Sequence, residues 1–241
     1  MKVGLITILC VLIGMCVNCK KSDDYIKHKS NGRLVTQTLK VLPFHSIVAD
    51  AKSEIVLKQA NKQKVEVTVS ENIINDIDLT VVDSVWTIDF KEDNIATINR
   101  HDFKIVISAP DFRNICMENS GSLNTKGTLD VDFLNISQNS SGEMQIQMNV
   151  DSLIVDVDGS GGITLTGNAT QFNLIHDSSG SVIASALQTD DCSIYQGGSG
   201  DTRVNVTRFL KCIIEGGGNI YYRGSPEVQK SGEGGGEPIQ Y

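Results

Sequence analysis

The sequence predicts an all-β domain built as a β-solenoid, and two observations carry this prediction. First, β-branched runs such as residues 65–69 and 104–108 alternate with Asn, Asp, Ser and Gly, and the chain after its N-terminus lacks the 3.6-residue apolar period of a helix. Second, from residue 112 onward a glycine, in most repeats preceded by serine, recurs at intervals of about 20 residues. A repeat of this length indicates stacked units that share one continuous core.

The N-terminus is predicted to be an export signal followed by a lipid anchor. Met1-Lys2 is a basic start, and the apolar run over residues 3–17 is too short to span a bilayer comfortably. Residues 1–18 are therefore predicted to be a signal peptide, with Cys19 as the lipidated residue and residues 19–33 as its polar tether. The segment resembles the leader of bacterial lipoproteins. Lipidation at Cys16, or secretion after cleavage elsewhere, are the alternatives.

Residues 34–110 are rich in strand-forming segments but lack the Ser-Gly repeat. They are expected to form either irregular first rungs, where a rung is one turn of the solenoid, or a small β cap. A cap would cover the unpaired backbone groups at the open end of a solenoid.

Residues 111–236 form the predicted repeat region, and residues 237–241 a tail. Six residues before successive glycines stands an apolar ladder predicted to face inward: Ile115, Ile136, Val155, Leu174, Ile194 and Cys212. Apolar residues two and four positions after most of the glycines indicate a second short strand in each rung. Each rung is thus expected to hold two or three strands, separated by a tight corner.

Glycine is expected at each corner because neighbouring rungs approach closely there, or because the backbone needs a positive φ. The predicted corner residues are Ser120, Gly121, Ser141, Gly142, Ser160, Gly161, Ser179, Gly180, Ser199, Gly200 and Gly218, with Gly235 as a seventh glycine in the series. The five serines are interpreted as facing solvent, where their hydroxyls could make weak multivalent contacts. Phe112, Phe133, Phe172 and Phe209 are expected to stack as an internal aromatic column.

Charge and cysteine content exclude some classes of protein. The net charge of −8 opposes binding to nucleic acid, and residues 111–224 are selectively acidic, with 6 basic and 13 acidic side chains. Cys10, Cys16 and Cys19 belong to the leader. Cys116, Cys192 and Cys212 remain, an odd number that favours buried thiols over a disulfide framework.

The sequence predicts neither catalytic residues nor a metal or cofactor site. Three aspartate pairs could in principle support metal-assisted sugar chemistry, but they lack nearby Lys or Arg to stabilise a developing anion. They are Asp130 and Asp132, Asp156 and Asp158, and Asp190 and Asp191.

For other short patterns too, a structural interpretation is favoured over metal binding or catalysis. Residues 197–201 approach a calcium-binding glycine-rich repeat, but their spacing does not fit. His28, His45, His101 and His176 lack metal-ligand spacing, and serines between glycines recur with the structural repeat. Residues 83–85 and 151–153 resemble a short O-glycosylation pattern of envelope proteins.

Taken together, the leader, the motifs at residues 44–47, 85–88 and 106–110, the Ser-Gly repeats and the ending at residues 218–226 resemble one family of bacterial envelope proteins. This is the putative auto-transporter adhesin, head GIN domain family, and the resemblance covers about residues 34–236. It implies a right-handed parallel β-helix. Glu143 and Asp201 after the glycine, and the degenerate last rung over residues 234–236, depart from the pattern and weaken the case for one shared binding surface.

The expected function is a non-enzymatic, lipid-anchored protein of the cell envelope, at the outer membrane and facing the cell surface, that presents a binding or adhesive surface. Its expected partners are the membrane, through the anchor, and a glycan or protein ligand, but not nucleic acid. An envelope scaffold or stress-response interaction module is the alternative. A third hypothesis is a polysaccharide lyase or hydrolase, because parallel β-helices often carry such activity.

Overall fold

The structure is a computed structural model that describes residues 28–91, 95–96 and 102–241, with the side chains of residues 30–91 and 102–241. The predicted leader and Cys19 lie outside the described residues. Within them the chain forms one short 3-10 helix, η1, and nineteen strands, which agrees with the predicted all-β class. None of the described helices is long and apolar enough to cross a membrane.

The strands before the repeat region are β1 His28–Lys29, β2 Leu34–Leu39, β3 Ser46–Ala49, β4 Glu54–Gln59, β5 Lys64–Ser70, β6 Val81–Val82, β7 Val85–Ile88, β8 Ile95–Ala96 and β9 Lys104–Ala109, with η1 at Ile74–Asp76. Those of the repeat region are β10 Asn114–Met117, β11 Ser122–Thr125, β12 Leu129–Gln138, β13 Glu143–Val157, β14 Ile163–His176, β15 Val182–Gln196, β16 Thr202–Ile214, β17 Ile220–Arg223, β18 Glu227–Ser231 and β19 Pro238–Gln240.

Parallel pairing stacks these strands into two faces of a β-solenoid. The first face has nine strands in the order β7, β3, β10, β12, β13, β14, β15, β16 and β18. The second has the order β9, β4, β11, β13, β14, β15, β16, β17 and β19. Strands β13 to β16 belong to both faces because each runs around the bend between them. The solenoid prediction is therefore confirmed.

The predicted apolar ladder lies inside the first face. Ile115 pairs in register with Ile136, Ile136 with Val155, and the series continues through Leu174 and Ile194 to Cys212. All six side chains are at most 2% exposed. Alternation along each strand sends every second side chain inward, so the period visible in the sequence identifies the core.

The predicted aromatic column is wrong. Phe112 and Phe172 are buried, but Phe133 is 40% exposed and Phe209 is half-buried. Phe172 pairs with Leu153 and Cys192, whereas Phe133 and Phe209 belong to the adjacent outward series with Ser152, Gln171 and Asp191. A shift of one residue along a strand turns a side chain to the opposite face, so the offset of Phe172 separates it from Phe133 and Phe209. Phe112 lies before β10, outside the strand alternation.

The N-terminal region combines parallel and antiparallel strand pairing. Strand β3 lies between β7 and β10, so the later segment of the chain forms the outermost parallel rung. Beyond that rung, β5 pairs antiparallel with β9, and β2 pairs antiparallel with β5. Parallel rungs and antiparallel strands thus occur together in this region.

Candidate functional site

The first candidate surface is the Ser-Gly corner, where the predicted glycines form one buried column. A Cβ atom added to Gly142, Gly161, Gly180, Gly200 or Gly218 would overlap the carbonyl oxygen of the preceding glycine in the column. Close approach of neighbouring rungs therefore explains these glycines, and none of the five has a positive φ. The column ends at Gly236, which packs on Gly218, while a Cβ at the expected Gly235 would meet open space.

The corner serines turn away from these glycines. Ser141, Ser160, Ser179 and Ser199 are exposed, and Ser120 is half-exposed. The structure thus places the serine hydroxyls in a row along one edge of the solenoid. Whether this edge binds a ligand remains a prediction.

Buried polar side chains stabilise the corner through hydrogen bonds to the carbonyl oxygens of its glycines, a feature that no sequence motif indicated. Gln138 Nε2 donates to the carbonyl oxygen of Gly142 at 2.6 Å, and Gln196 Nε2 donates to that of Gly200 at 2.9 Å. His176 Nε2 makes the same bond to Gly180 at 3.1 Å. The recurring signal is a polar residue four positions before the corner glycine.

His176 belongs to this buried network and is fully inaccessible to solvent. Its Nδ1 lies 2.8 Å from Thr202 Oγ1, and the Thr202 hydroxyl is also 2.7 Å from Gln196 Oε1. Burial lowers the pKa of His176, while its hydrogen bonds to Gln196 and Gly180 oppose that shift. The imidazole therefore supports the corner and is not positioned to activate a serine. His101, and the side chain of His28, lie outside the described residues.

The second candidate surface is a groove at the bend between the two faces. It has a volume of about 500 Å³ and follows the axis across β12, β13, β14 and β15. Its polar lining includes Asp130, Asp132, Asp151 and Asp190. The structure therefore brings together three of the six aspartates from the candidate pairs and adds Asp151, the first residue of the second glycosylation-like pattern.

An amide ladder forms one wall of the groove. Asn149 Nδ2 donates to Asp130 Oδ1 at 2.7 Å, and Asn168 Nδ2 donates to Asn149 Oδ1 at 2.8 Å. The groove therefore presents mostly hydrogen-bond acceptors to a ligand.

A second cavity of about 280 Å³ is lined by Asp111, Arg113, Asp132 and Phe133, and Arg113 Nε donates to Asp111 Oδ2 at 2.7 Å.

The other aspartates lie apart from the groove. Asp156 is on the outer side of the first face, where burial and the nearby charges of Asp158 and Asp177 raise its pKa. Asp191 forms a two-bond ion pair with Arg208, which lowers the pKa of Asp191. Asp201 accepts a hydrogen bond from the backbone of Asn219. Across residues 28–91, 95–96 and 102–241, no three His, Cys, Asp or Glu side chains are placed to share a metal ion.

A third candidate surface, which no sequence motif indicated, lies on the outer side of the last rungs of the second face. The Arg203 guanidinium lies 5.0 Å from the ring centre of Tyr221, and that of Arg223 lies 4.8 Å from the ring centre of Tyr241. The two tyrosine rings meet edge to face with their centres 6.3 Å apart. We call these four residues the arginine–tyrosine patch.

The three described cysteines are free thiols. Cys192 and Cys212 are buried as predicted, and burial raises the pKa of Cys212 to about 11. Cys116 is only half-buried. Burial and a hydrogen bond from its thiol to Glu118 Oε1 at 3.0 Å raise its pKa to about 12. High thiol pKa values indicate weakly nucleophilic cysteines at neutral pH.

The resemblance seen in the sequence is confirmed by the family whose model matches residues 43–226. That family is described as "Putative auto-transporter adhesin, head GIN domain". The chain belongs to this family. Membership in an adhesin family indicates a protein of the cell surface or envelope. No curated protein matches the chain.

Solved structures of similar fold support this assignment. A putative adhesin from Bacteroides fragilis NCTC 9343 is 25% identical with a TM-score of 0.82, over 89% of this chain and 100% of that chain. A putative adhesin from Parabacteroides distasonis ATCC 8503 is 24% identical with a TM-score of 0.69, over 88% and 99%. A putative lipid binding protein from the same strain is 21% identical with a TM-score of 0.71, over 89% and 99%. The latter two show a shared fold.

Proposed function

We propose that this protein is a non-enzymatic, lipid-anchored envelope adhesin that binds a glycan or protein ligand through the outer surface of its solenoid. The observation that carries this proposal is the continuous stack of nine strands on each face. Inward positions keep one apolar core, whereas outward positions vary in chemistry from rung to rung. Such a stack is a rigid scaffold for an extended binding surface.

The charge of the central rungs supports binding more than catalysis. Residues 127–202 contain ten Asp or Glu and no Lys or Arg. A lyase or hydrolase acting on an acidic polysaccharide needs cationic groups near its acids to stabilise the developing anion. In the described cavities the one Arg is Arg113, and it is paired with Asp111.

The proposed anchor is compatible with the direction of the stack. The first described residues, in β1 and β2, lie on the side of the cap, and the later rungs extend from it in one direction. Eight strand spacings of ~4.8 Å separate the outermost strands by roughly 38 Å. A lipid on Cys19 would therefore hold the cap near the membrane and display the last rungs farther away.

Two experiments test this proposal. Replacing Cys19→Ala should release the protein from the membrane fraction of cells, and unchanged membrane retention would contradict the anchor. A screen of residues 20–241 against glycans and matrix proteins should identify a ligand without turnover. Measurable cleavage of an acidic polysaccharide would instead establish an enzyme, and a single crosslinked envelope protein with no glycan or matrix binding would favour the scaffold alternative.

The same screen tests the serine edge. A variant with all five corner serines changed to alanine should keep its fold, because four of these side chains are exposed and the fifth is half-exposed. Loss of ligand binding in this folded variant would assign the edge a binding role. Retained binding would exclude the edge and leave the groove and the arginine–tyrosine patch as candidates.

A further inference from the structure

The arginine–tyrosine patch is where the charge of the solenoid surface changes. The ten acidic residues of the central rungs are followed by residues 203–241, which contain five Lys or Arg and four Asp or Glu. Arg203 is the first basic residue after Lys126. An anion approaching the repeat region therefore meets less repulsion at the last rungs than along the central ones.

The two arginines of the patch differ from Arg208 and Lys230, which both form ion pairs. Arg208 is bound to Asp191, and Lys230 lies 2.7 Å from Glu237. Within the part of the chain that the structure describes, Arg203 and Arg223 make no ion pair and instead lie over tyrosine rings. Stacking restricts each guanidinium without occupying its N–H groups, which remain available to an incoming acid.

The register of the strands sets the spacing of the two charges. Arg203 pairs with Tyr221, and Asn205 pairs with Arg223, so the arginines are one strand apart and two positions apart along the strands. Side chains related in this way are roughly 8 Å apart on a sheet. One ligand of moderate size can therefore contact both arginines.

We propose that the arginine–tyrosine patch binds an acidic sugar unit of a polysaccharide, with its carboxylate or sulfate on the arginines and its ring against the tyrosines. This inference rests on the proposed adhesive function and names the ligand class for one surface. Guanidinium groups bind carboxylate and sulfate oxygens through paired hydrogen bonds.

Two features favour a sugar over an acidic protein segment. Strand β17 is already paired on both sides, by β16 and β19, and the edge strand β19 has only three residues and begins with Pro238, so this face offers few free backbone groups to an added peptide strand. Exposed Tyr241 and half-buried Tyr221 instead offer ring surfaces for the flat face of a sugar.

The test uses residues 20–241 and immobilised heparin, polygalacturonate and neutral dextran as probes. We expect binding to at least one acidic polymer and none to dextran, with heparin and polygalacturonate separating sulfate from carboxylate recognition. Arg203→Gln and Arg223→Gln should each weaken binding about tenfold, the effect of losing one charged hydrogen-bonding group. Arg208→Gln is the matched control, because it removes the same charge from a residue already paired, and it should change affinity less than about twofold.

Several results would overturn the inference. Equal losses for Arg203→Gln and Arg208→Gln would show general electrostatic attraction, and failure of the unaltered protein to bind either acidic polymer would remove the proposed ligand class. If binding to a neutral glycan or matrix protein persists in that case, the adhesive function stands and only the patch assignment fails. If the protein binds no glycan, matrix protein or cell surface at all, both fail. Unchanged thermal unfolding of each variant verifies that affinity, not folding, is measured.

Discussion

The two ends of the solenoid protect the same kind of open core in opposite ways. At the N-terminal end, antiparallel strands border the outermost rung, β6 on β7 and β5 with β2 on β9, and Trp86 and Phe103 are fully buried there. At the C-terminal end, the inner ladder that runs through Ile194 and Cys212 ends at Lys230, which forms an ion pair with Glu237. One end is closed by packing and the other by charge.

The difference shows how an edge can be protected without added strands. An inward-pointing charge makes further stacking unfavourable, because another rung would have to bury it. Lys230 is exposed and Val228 only partly buried, so the last rung contributes less apolar burial than the cap. We therefore expect the C-terminal rung to open first and the cap to open with the whole domain.

The largest expected effect comes from the packed end. Trp86 is fully buried, its ring centre lies 5.5 Å from that of Phe44, and its Nε1 donates to the carbonyl oxygen of Asp78 at 3.0 Å. Trp86→Ala should lower the free energy of unfolding by about 3–5 kcal/mol. Val228→Ala at the other end should cost only about 1 kcal/mol, since that side chain is partly exposed. Urea titrations followed by circular dichroism compare them, and similar losses would remove the asymmetry.

A glycine in the middle tests whether the two ends are coupled through the corner column. A Cβ on Gly161 would overlap the carbonyl oxygen of Gly142, so Gly161→Ala should cost about 2–3 kcal/mol through forced backbone shifts. Gly235→Ala is the control, because a Cβ there meets open space. Hydrogen exchange should show faster exchange in both rungs that flank Gly161. Exchange confined to the last rung would indicate that the ends unfold independently.

The buried His176 makes the stability of the central rungs depend on pH. Burial lowers its folded-state pKa below the ordinary value of 6.5, although Asp177 and Asp201 nearby act in the opposite direction. His176 then binds a proton more tightly in the unfolded chain than in the folded one. The stabilisation that neutral His176 contributes to the fold is therefore complete above pH 6.5 and is lost as the pH falls below it. Melting temperatures should therefore drop between pH 7.5 and 5.

His176→Gln is the matched control for this pH effect, because Gln138 and Gln196 make the same bond to a corner glycine in other rungs. The variant should show a smaller drop in melting temperature over this range. An equal drop in both proteins would assign the pH dependence to other groups. Hydrogen exchange measured at both ends of the solenoid would show which end is destabilised at low pH.

The smallest effect on stability, but a clear one on assembly, is expected at the charged end. Lys230→Leu removes an ion pair whose partners are 33% and 61% exposed, so the free energy of unfolding should change by less than about 1 kcal/mol. Loss of the charge should instead allow the end of one molecule to pack on another. Light scattering should detect dimers or larger species of the variant. A monomer at every concentration would show that the charge of Lys230 does not prevent end-to-end stacking.

Much of the solenoid could be predicted from local sequence. The inward ladder from Ile115 to Cys212 and the corner glycines were identified because alternation and a constant repeat length are properties of the chain alone. Gly236 replaced Gly235 in the column because the last rung is degenerate, with three consecutive glycines that no spacing rule can distinguish. The outward positions of Phe133 and Phe209 were missed for a different reason, because a one-residue offset along a strand decides which face a side chain occupies.

The sequence by itself determined the all-β class, the length of the rung and the residues of its core, because each follows from periodicity that every rung repeats. Only the tertiary structure decided that β3 stacks between β7 and β10, that four aspartates share one groove and that two arginines lie over tyrosines on successive rungs. These features depend on which strands pair across long separations. That choice is made by the packing of whole rungs, and local side-chain patterns do not encode it.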